Sequence, residues 1–538
     1  MNNGHPKTEP KIVVFCCNWC SYAGADTAGV NRIQYSSRVR VIRTMCSGRI
    51  HPAFVLRAFT RGADAVLITG CHLGDCHYIS GNERAIENFE IIKQLTSLLG
   101  IDEERIGLEW ISAAEGPRFG QVMDEFVARV SKLGVLPQPL ASLPEEPATV
   151  DLELQPKDFG TYLCYECGKC TAVCPVAEVR EEFSPRQAVR GHAVSNNGHH
   201  PEDNCLTCGL CDYRCPQDVS ISSFMASERA RHMTPEEWGM RPHGGIFQAI
   251  GSLMSRNELR VKRLDWLPDD ARTNPESDML LYVGCAPFHD AFFQDLKVKN
   301  LDTVRAALKI LNYLKIEPAL LEDERCCGHD FFWGGDLETF KRLALLNAER
   351  IAQTKAKRIV FTCPECLYAY QELYTKVGIK INVEMMTIAQ VIAEHAHELP
   401  LEDTAEIVTI QDPCRLSRHL EDTESIRNAL TAVPGLGVKE MAHNGKTSIC
   451  CAGNWVNCDA ATKQLQSKRL NEALATGAQV LATACPKCEI HLKCALKGND
   501  GVQLEVKDVA VIVAEALGQV RVAEVASRVK ESSHHPPQ

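Results

Sequence analysis

The sequence predicts an α/β protein in three parts: a small N-terminal α/β domain, a mostly helical domain, and two repeated α/β units. Three observations carry this. Short apolar runs alternate with amphipathic helical stretches over residues 11–140 and again from Asp278. Between those regions, Cys164-x-x-Cys167-x-x-Cys170-x-x-x-Cys174-Pro175 recurs as Cys205-x-x-Cys208-x-x-Cys211-x-x-x-Cys215-Pro216. The C-terminal region then repeats internally, with five cysteines in the same order twice. The expected limits are 1–145, 146–275, 276–400 and 401–538.

The N-terminal domain is read from the apolar run Lys11 to Phe15, a helix from Pro52 to Arg61, a second run from Ala63 to Thr69, and an amphipathic helix from Gln121 to Leu133. Cysteines punctuate the strand ends: Cys16, Cys17 and Cys20, then Cys46, then Cys71 and Cys76. Loops at the ends of an open sheet carry function, and four thiolates gathered there suit one 2Fe-2S cluster. Cys16 reads as a buried strand residue. His72 and His77 read as donors to cluster sulfur or ordinary loop residues.

A proline-rich spacer, Leu136 to Pro147, closes this domain. The helical domain follows, and its cysteine spacing has a physical reason. A 4Fe-4S cube needs four thiolates converging on one small body, and residues three apart let one tight loop supply three of them. In two-cluster ferredoxins the fourth comes from the Cys-Pro of the other motif. Cys164, Cys167, Cys170 and Cys215 are thus expected to hold one cluster, and Cys205, Cys208, Cys211 and Cys174 the other. Zinc ribbons use two C-x-x-C pairs per ion and do not need this longer pattern. A helix is expected at Ser184 to His192, a polar loop at Asn196 to Asn204, and a surface or docking segment at Trp238 to Met254.

In the C-terminal region the apolar strands Met279 to Val283, Arg358 to Thr362, Ile407 to Ile410 and Val480 to Thr483 each run into a cysteine. Helices Leu301 to Leu314 and Ala460 to Ala475 lie between them. One copy offers Cys285, Cys326, Cys327, Cys363 and Cys366; the other offers Cys414, Cys450, Cys451, Cys485 and Cys488. A zinc site needs four ligands and no Cys-Cys pair. Cys458 and Cys494 fall outside the pattern and read as free thiols. His289, His329, His419 and His491 lie near these loops, as candidate proton donors to a leaving thiolate or as plain surface residues.

Composition bounds the function. The 538 residues are 45% apolar, which gives room for about three to four domains with cores. Disulfide-dense secreted scaffolds are short, and no apolar signal region follows Met1, so the 26 cysteines point to metal binding in a reducing cytoplasm. No run approaches the ~20 apolar residues of a membrane helix. The nearest, Val509 to Val525, is broken by Glu515, Gln519, Arg521 and Glu524. A net charge of -11 argues against a nucleic-acid ligand and suits soluble redox partners. No G-x-G-x-x-G after a strand, P-loop or serine-nucleophile elbow is present, so flavin or nicotinamide chemistry belongs to another polypeptide.

The motifs around Cys17 to Asp26, Met45 to Arg49 and Gly70 to Tyr78 resemble the delta (iron-sulfur) subunit of the methyl-viologen-reducing hydrogenase. That resemblance implies a single 2Fe-2S cluster, so one of Cys17, Cys20, Cys46, Cys71 and Cys76 is left over. The ferredoxin motifs and the doubled five-cysteine pattern resemble the catalytic subunit of heterodisulfide reductase with its two CCG domains. Each five-cysteine set is then implied to hold a noncubane 4Fe-4S cluster. Two departures are Ala452 after Cys450-Cys451 and a longish interval from Cys285 to Cys326.

The resemblances together imply a wire from a 2Fe-2S port through two cubanes to two noncubane clusters that cleave a disulfide wedged between them. The implied partners are the flavin-containing large subunit of heterodisulfide reductase, which bifurcates electrons, and a hydrogenase or formate dehydrogenase as donor. The substrate stays open among the coenzyme M-coenzyme B heterodisulfide, another small disulfide and a protein dithiol. The rival function is a non-catalytic relay to another oxidoreductase or a quinone pool.

Overall fold

The computed structural model describes residues 9–136, 156–191, 201–233, 240–497 and 502–518. The expected spacer beyond Leu136, the boundary at 145, His192, residues 196–200, residues 234–239 and the end of the 509–525 run lie outside them.

Strands β1 (Ile12–Cys17), β2 (Val39–Thr44), β3 (Ala65–Gly70) and β4 (Ile106–Trp110) form a parallel sheet in the order β2-β1-β3-β4. Ile12 lies beside both Val39 and Ala65, so the strands run in step and finish at one rim. The two central strands are covered on both faces and therefore read as continuous apolar runs. Helices α1 (Ser21–Val30) and α4 (Gly116–Leu133) cover one face; α2 (Pro52–Thr60) and α3 (Gly81–Leu98) cover the other. Helix α4 starts more than a turn before the expected Gln121, because Pro117 is tolerated in a first turn. Strand β2 was not anticipated: at the sheet edge it alternates valine with arginine.

The middle part contains α5 (Lys169–Val173), α6 (Pro175–Val179), α7 (Pro185–Gly191), α8 (Leu210–Arg214) and α9 (Ile221–His232), with no strand among its described residues. The sequence repeat extends to the backbone. Gly168 and Gly209, at φ 78° and 74°, start α5 and α8, and Glu166 and Thr207 before them also have positive φ. Residues 201–204 of the expected polar loop form a 3-10 turn.

The segment expected at the surface is corrected by α10 (Ile246–Met254), where Ile246, Ala249, Ile250, Leu253 and Met254 are buried. It docks, but inside the molecule, between α2 and α14 (Leu337–Ala352). Each of its large side chains adds about 1.5–3 kcal/mol of apolar burial. Gly251 is required there, since a Cβ would run into the Phe331 ring.

The C-terminal part has two parallel sheets. The first, β5 (Met279–Tyr282), β6 (Arg358–Phe361) and β7 (Glu384–Thr387), is accompanied by α11 (Ala286–Phe292), α12 (Asn300–Tyr313), α13 (His329–Gly334), α15 (Pro364–Tyr368), α16 (Tyr374–Lys376) and α17 (Ile388–His395). The second comprises β8 (Ile407–Ile410), β9 (Gly437–Lys439), β10 (Val480–Thr483) and β11 (Glu505–Asp508), in the order β11-β10-β8-β9. Its helices are α18 (Ser425–Thr431), α19 (Ala460–Ala475), α20 (Pro486–Leu496) and α21 (Val509–Ala516). One apolar cluster joins the two units, with Leu308 and Leu311 of α12 and Ile392 of α17 sharing it with Leu430 of α18 and Val513 of α21. The two strand-end rims are thereby fixed against each other.

Candidate iron-sulfur centres

None of the 26 cysteines is in a disulfide, and the fold gathers 23 of them at strand ends and motif loops. In the N-terminal domain Cys17 ends β1, Cys46 follows β2 and Cys71 follows β3. The sulfurs of Cys17 and Cys71 lie 3.7 Å apart, Cys20 is in hydrogen-bonding range of Cys71, and Cys46 of Cys76. All five candidate thiols thus meet. Burial raises the Cys76 thiol, but the N–H groups of Tyr78, Asn82 and Gly81 outweigh it and lower its pKa. Cys16 is buried within β1. His72 pairs with Glu115 at 2.7 Å, and His77 stacks on Trp19 at 3.8 Å, so both are engaged in loop packing.

In the middle part Cys164, Cys167, Cys170 and Cys215 line one cavity. Cys174 sits with Cys205, Cys208 and Cys211 instead. The first group lies near the surface and the second is mostly buried.

In the C-terminal part the sulfurs of Cys285 and Cys326 are 3.9 Å apart. Cys327 lies against Cys326 and Cys366, and Cys366 against Cys363. The second set runs Cys414, Cys450, Cys451, Cys488, Cys485 in the same manner. Two contacts join sets: Cys363 meets Cys485, and Cys208 meets Cys450. Ala452 takes the positive φ that Gly328 has in the first copy, 59° against 80°, so the departure keeps the backbone at a cost of about 1–2 kcal/mol. Cys458 is exposed, and Cys494 accepts a hydrogen bond from Lys463 at 3.0 Å.

A charged group that the sequence reading missed lies between the five-cysteine sets. Glu365 and Lys487 occupy the same slot of the two C-P-x-C motifs and pair across the interface at 2.8 Å. Lys487 also pairs with Asp330, which is 3.2 Å from His329. Burial would lower the Lys487 ammonium, but Asp330 and Glu365 outweigh it and hold its pKa above the usual lysine range. His329, Asp330 and Glu365 could hold a cation among them, yet the Lys487 ammonium already occupies that position. Opposite charges in a repeated slot were the available signal.

The four histidines are not surface residues. His289, His329 and His491 are buried and His419 half-buried; burial lowers His329 to about 3 and His289 and His491 to about 4. Arg415, missed as well, donates from Nε to His329 Nε2 at 2.9 Å and from Nη1 to Thr207 O at 2.6 Å, with its guanidinium 4.1 Å from the Trp333 ring. His419 packs so closely on the ferredoxin loop that a Cβ at Gly209 would lie 2.8 Å from its Nε2.

Iron-sulfur groups fit these residues. Buried thiols converge, and Arg418 Nη2 and His491 Nε2 point among them with no hydrogen-bond partner, although such donors normally have one. Two chambers reach the five-cysteine sets: one with charged side chains, at Cys414, Cys451, Lys487 and Arg415, and an aromatic one at Cys285, Cys326, Phe247, Phe288 and Trp455. Asp330 lines both. No described helix is long and apolar enough to cross a membrane.

Residues 12–134 match the model for the methyl-viologen-reducing hydrogenase delta subunit, residues 160–219 a 4Fe-4S dicluster domain, and residues 279–370 and 408–493 a cysteine-rich CCG domain. The first part is 52% identical over 126 residues to the iron-sulfur subunit of the vhc F420-non-reducing hydrogenase of Methanococcus voltae, covering 23% of this chain and 88% of that protein. The chain is also similar to one of the subunits of the dihydromethanophenazine:CoB-CoM heterodisulfide reductase of Methanosarcina acetivorans, 28% identical over 401 residues, covering 66% of this chain and 93% of that protein. From the same organism, one of the subunits of a ferredoxin/F420H2-dependent CoB-CoM heterodisulfide reductase matches over 130 residues at 49% identity, 24% of this chain and 16% of that protein.

Proposed function

The chain belongs to the methyl-viologen-reducing hydrogenase delta-subunit family through residues 12–134, fused to a dicluster ferredoxin and a double CCG part like that of the dihydromethanophenazine-type heterodisulfide reductase, and from this premise we infer a disulfide reductase. It is an iron-sulfur oxidoreductase subunit, and its homologues are subunits of heterodisulfide reductase and hydrogenase complexes. The reaction is R-S-S-R′ plus two electrons and two protons to two thiols. The observation that carries it is the unbroken run of thiols, from the inner ferredoxin set through Cys208 and Cys450 to the second five-cysteine set, and through Cys485 and Cys363 to the first. A plain relay has no use for two complete five-thiol sets facing one charged group.

Groups bound at these thiols would supply single-electron transfer and, at the five-cysteine sets, iron accessible to substrate sulfur. Cys164, Cys167, Cys170 and Cys215 would hold an outer 4Fe-4S cluster, and Cys174, Cys205, Cys208 and Cys211 an inner one. The Cys285 and Cys414 sets would hold the noncubane pair, and four of the five N-terminal thiols a 2Fe-2S cluster. The protein's own residues seal the junction: Arg415 and His419 close over Thr207, and Trp333 packs on the guanidinium. The coenzyme M-coenzyme B heterodisulfide is one substrate of this class.

Two exposed rims support two docking partners. Trp19, Met45, Leu73, Tyr78 and Ile79 stand exposed around the N-terminal thiols, and Tyr162, Leu163, Tyr165 and Tyr213 around the outer ferredoxin set. Apolar surface of this kind marks interaction sites. A hydrogenase or formate dehydrogenase at the first rim and the bifurcating flavin protein at the second match the family's partners.

Two tests follow. The anaerobically purified chain should carry about 18 iron atoms, as one 2Fe-2S and four 4Fe-4S groups; about ten iron with stoichiometric zinc would remove the noncubane pair. In Cys208→Ala, reduction of the terminal centres by the flavin partner should fail while the C-terminal half stays folded. Transfer at the wild-type rate, followed by stopped-flow absorbance, would break the linear route.

A further inference from the structure

Arg418 is a buried cation with no carboxylate in ion-pair range among the described residues. It is 8% exposed, donates from Nε to Cys208 O at 2.7 Å and from Nη1 to Ser448 O at 2.7 Å, and leaves Nη2 without a partner. Arg415, one turn before it, donates its hydrogen bonds to histidine nitrogens and the Thr207 oxygens and packs on the Trp333 and Tyr368 rings. Among the described residues neither guanidinium has a carboxylate in ion-pair range, and arginine keeps its charge at any working pH. The first five-cysteine set differs. Its buried arginine, Arg263, is paired with the equally buried Glu324 at 3.5 Å. A buried cation is stable only against an anion. Arg418 is tied to the backbone of Cys208 in the inner ferredoxin set, and Arg415 lines the same chamber as Cys414, Cys450 and Cys451 of the second five-cysteine set.

We propose that Arg418, seconded by Arg415, is the counter-ion of the junction between the inner ferredoxin set and the second five-cysteine set, making those two centres easier to reduce than their neighbours. The proposal rests on the iron-sulfur reading above. Adding one electron to a centre adds one negative charge and, without proton uptake, the reduced form is favoured by a fixed positive charge in a low-dielectric surrounding. Electrons supplied by the flavin partner to the outer set would then run downhill to the inner set and collect at the Cys414 set. Arg418 is thus a tuning and positioning residue, whose backbone tie to Cys208 also sets the spacing of the junction.

The test is a potentiometric titration of the anaerobic full chain, followed by electron paramagnetic resonance, in wild type, Arg418→Gln and Arg418→Lys. Arg418→Gln should lower the potentials of the inner ferredoxin centre and the Cys414 centre by a tenfold change in the reduction equilibrium, which is about 59 mV for one electron. The outer centre at Cys164, Cys167, Cys170 and Cys215 should not move, and Arg418→Lys should give a smaller fall at the same two centres. Unchanged potentials in Arg418→Gln, or an equal fall at the outer centre, would overturn the proposal. Should Arg418→Gln not assemble, Arg418→Lys decides: a fall confined to the two junction centres supports it, and no fall or a uniform one overturns it. A wild-type chain with no redox-active centre at the Cys414 set defeats the underlying reading and this inference with it, whereas unshifted potentials in a fully loaded variant defeat the inference alone.

Discussion

Cys327→Ser and Cys451→Ser, made separately, should each cut disulfide reduction by more than about 100-fold, since losing even an outer partner of a metal ligand costs about 10–100-fold. The argument lies in how each Cys-Cys pair is splayed. Cys326 turns to Cys285, while Cys327 turns to Cys366. In the second set Cys450 turns to Cys414 and to Cys208, while Cys451 turns to Cys488. Each pair therefore joins the two ends of its five-thiol set, and a serine hydroxyl does not ionise to replace the missing thiolate. Both ferredoxin sets use other cysteines, so their reduction should persist. Disulfide-dependent oxidation of a reduced viologen, with electron paramagnetic resonance on the same samples, reads both halves of the expectation. Full activity in both variants excludes a two-set active site, and a wild type inactive toward every disulfide favours the relay.

What the sequence revealed and what it hid divide along physical lines. Thiol spacing is local, so the expected thiol sets of the ferredoxin and of the two C-terminal units rest on it, and strands β1, β3, β5 and β10 were legible because their burial writes continuous apolar runs. The edge strands β2 and β9 were not: β2 alternates valine with arginine, and β9 is three residues long. The apolar stretch at α10 was visible, but its partner helices lie far away in the chain, so its burial was not. The histidines were noticed, yet nothing local distinguishes a buried imidazole from an exposed one. Arg415, Arg418, Asp330, Glu365 and Lys487 matter because the two units and the ferredoxin loop close on one another, and a single chain segment does not carry that information. Only the Glu365/Lys487 exchange within a repeated motif left a trace.

That exchange leads to the second large effect: Lys487→Met should destabilise the C-terminal half by about 3 kcal/mol, the lower end of the cost of breaking a buried ion pair. Lys487 is 4% exposed and is the shared partner of Asp330 and Glu365, whose ligand-capable atoms lie within 4.8 Å of each other and of His329. Removing the ammonium leaves two carboxylates facing each other away from water. One of them can relieve the repulsion by taking a proton, which is why the lower figure applies. An exposed cross-domain pair makes the comparison. Lys468 and Glu178 approach to 2.6 Å but are 37% and 55% exposed, so Lys468→Met should cost at most about 1 kcal/mol. In Lys487→Met/Glu365→Gln, one of the stranded charges is gone, and part of the loss should return as a coupling of about 0.5–3 kcal/mol. Anaerobic thermal unfolding at matched iron content measures this; a loss of about 3 kcal/mol in a unit of this size lowers the midpoint by roughly 6–12 °C. If Lys487→Met unfolds no earlier than Lys468→Met, the pairing across the two C-P-x-C motifs does not hold the halves together, and the facing of the two thiol sets must rest on the apolar cluster of α12, α17, α18 and α21 alone.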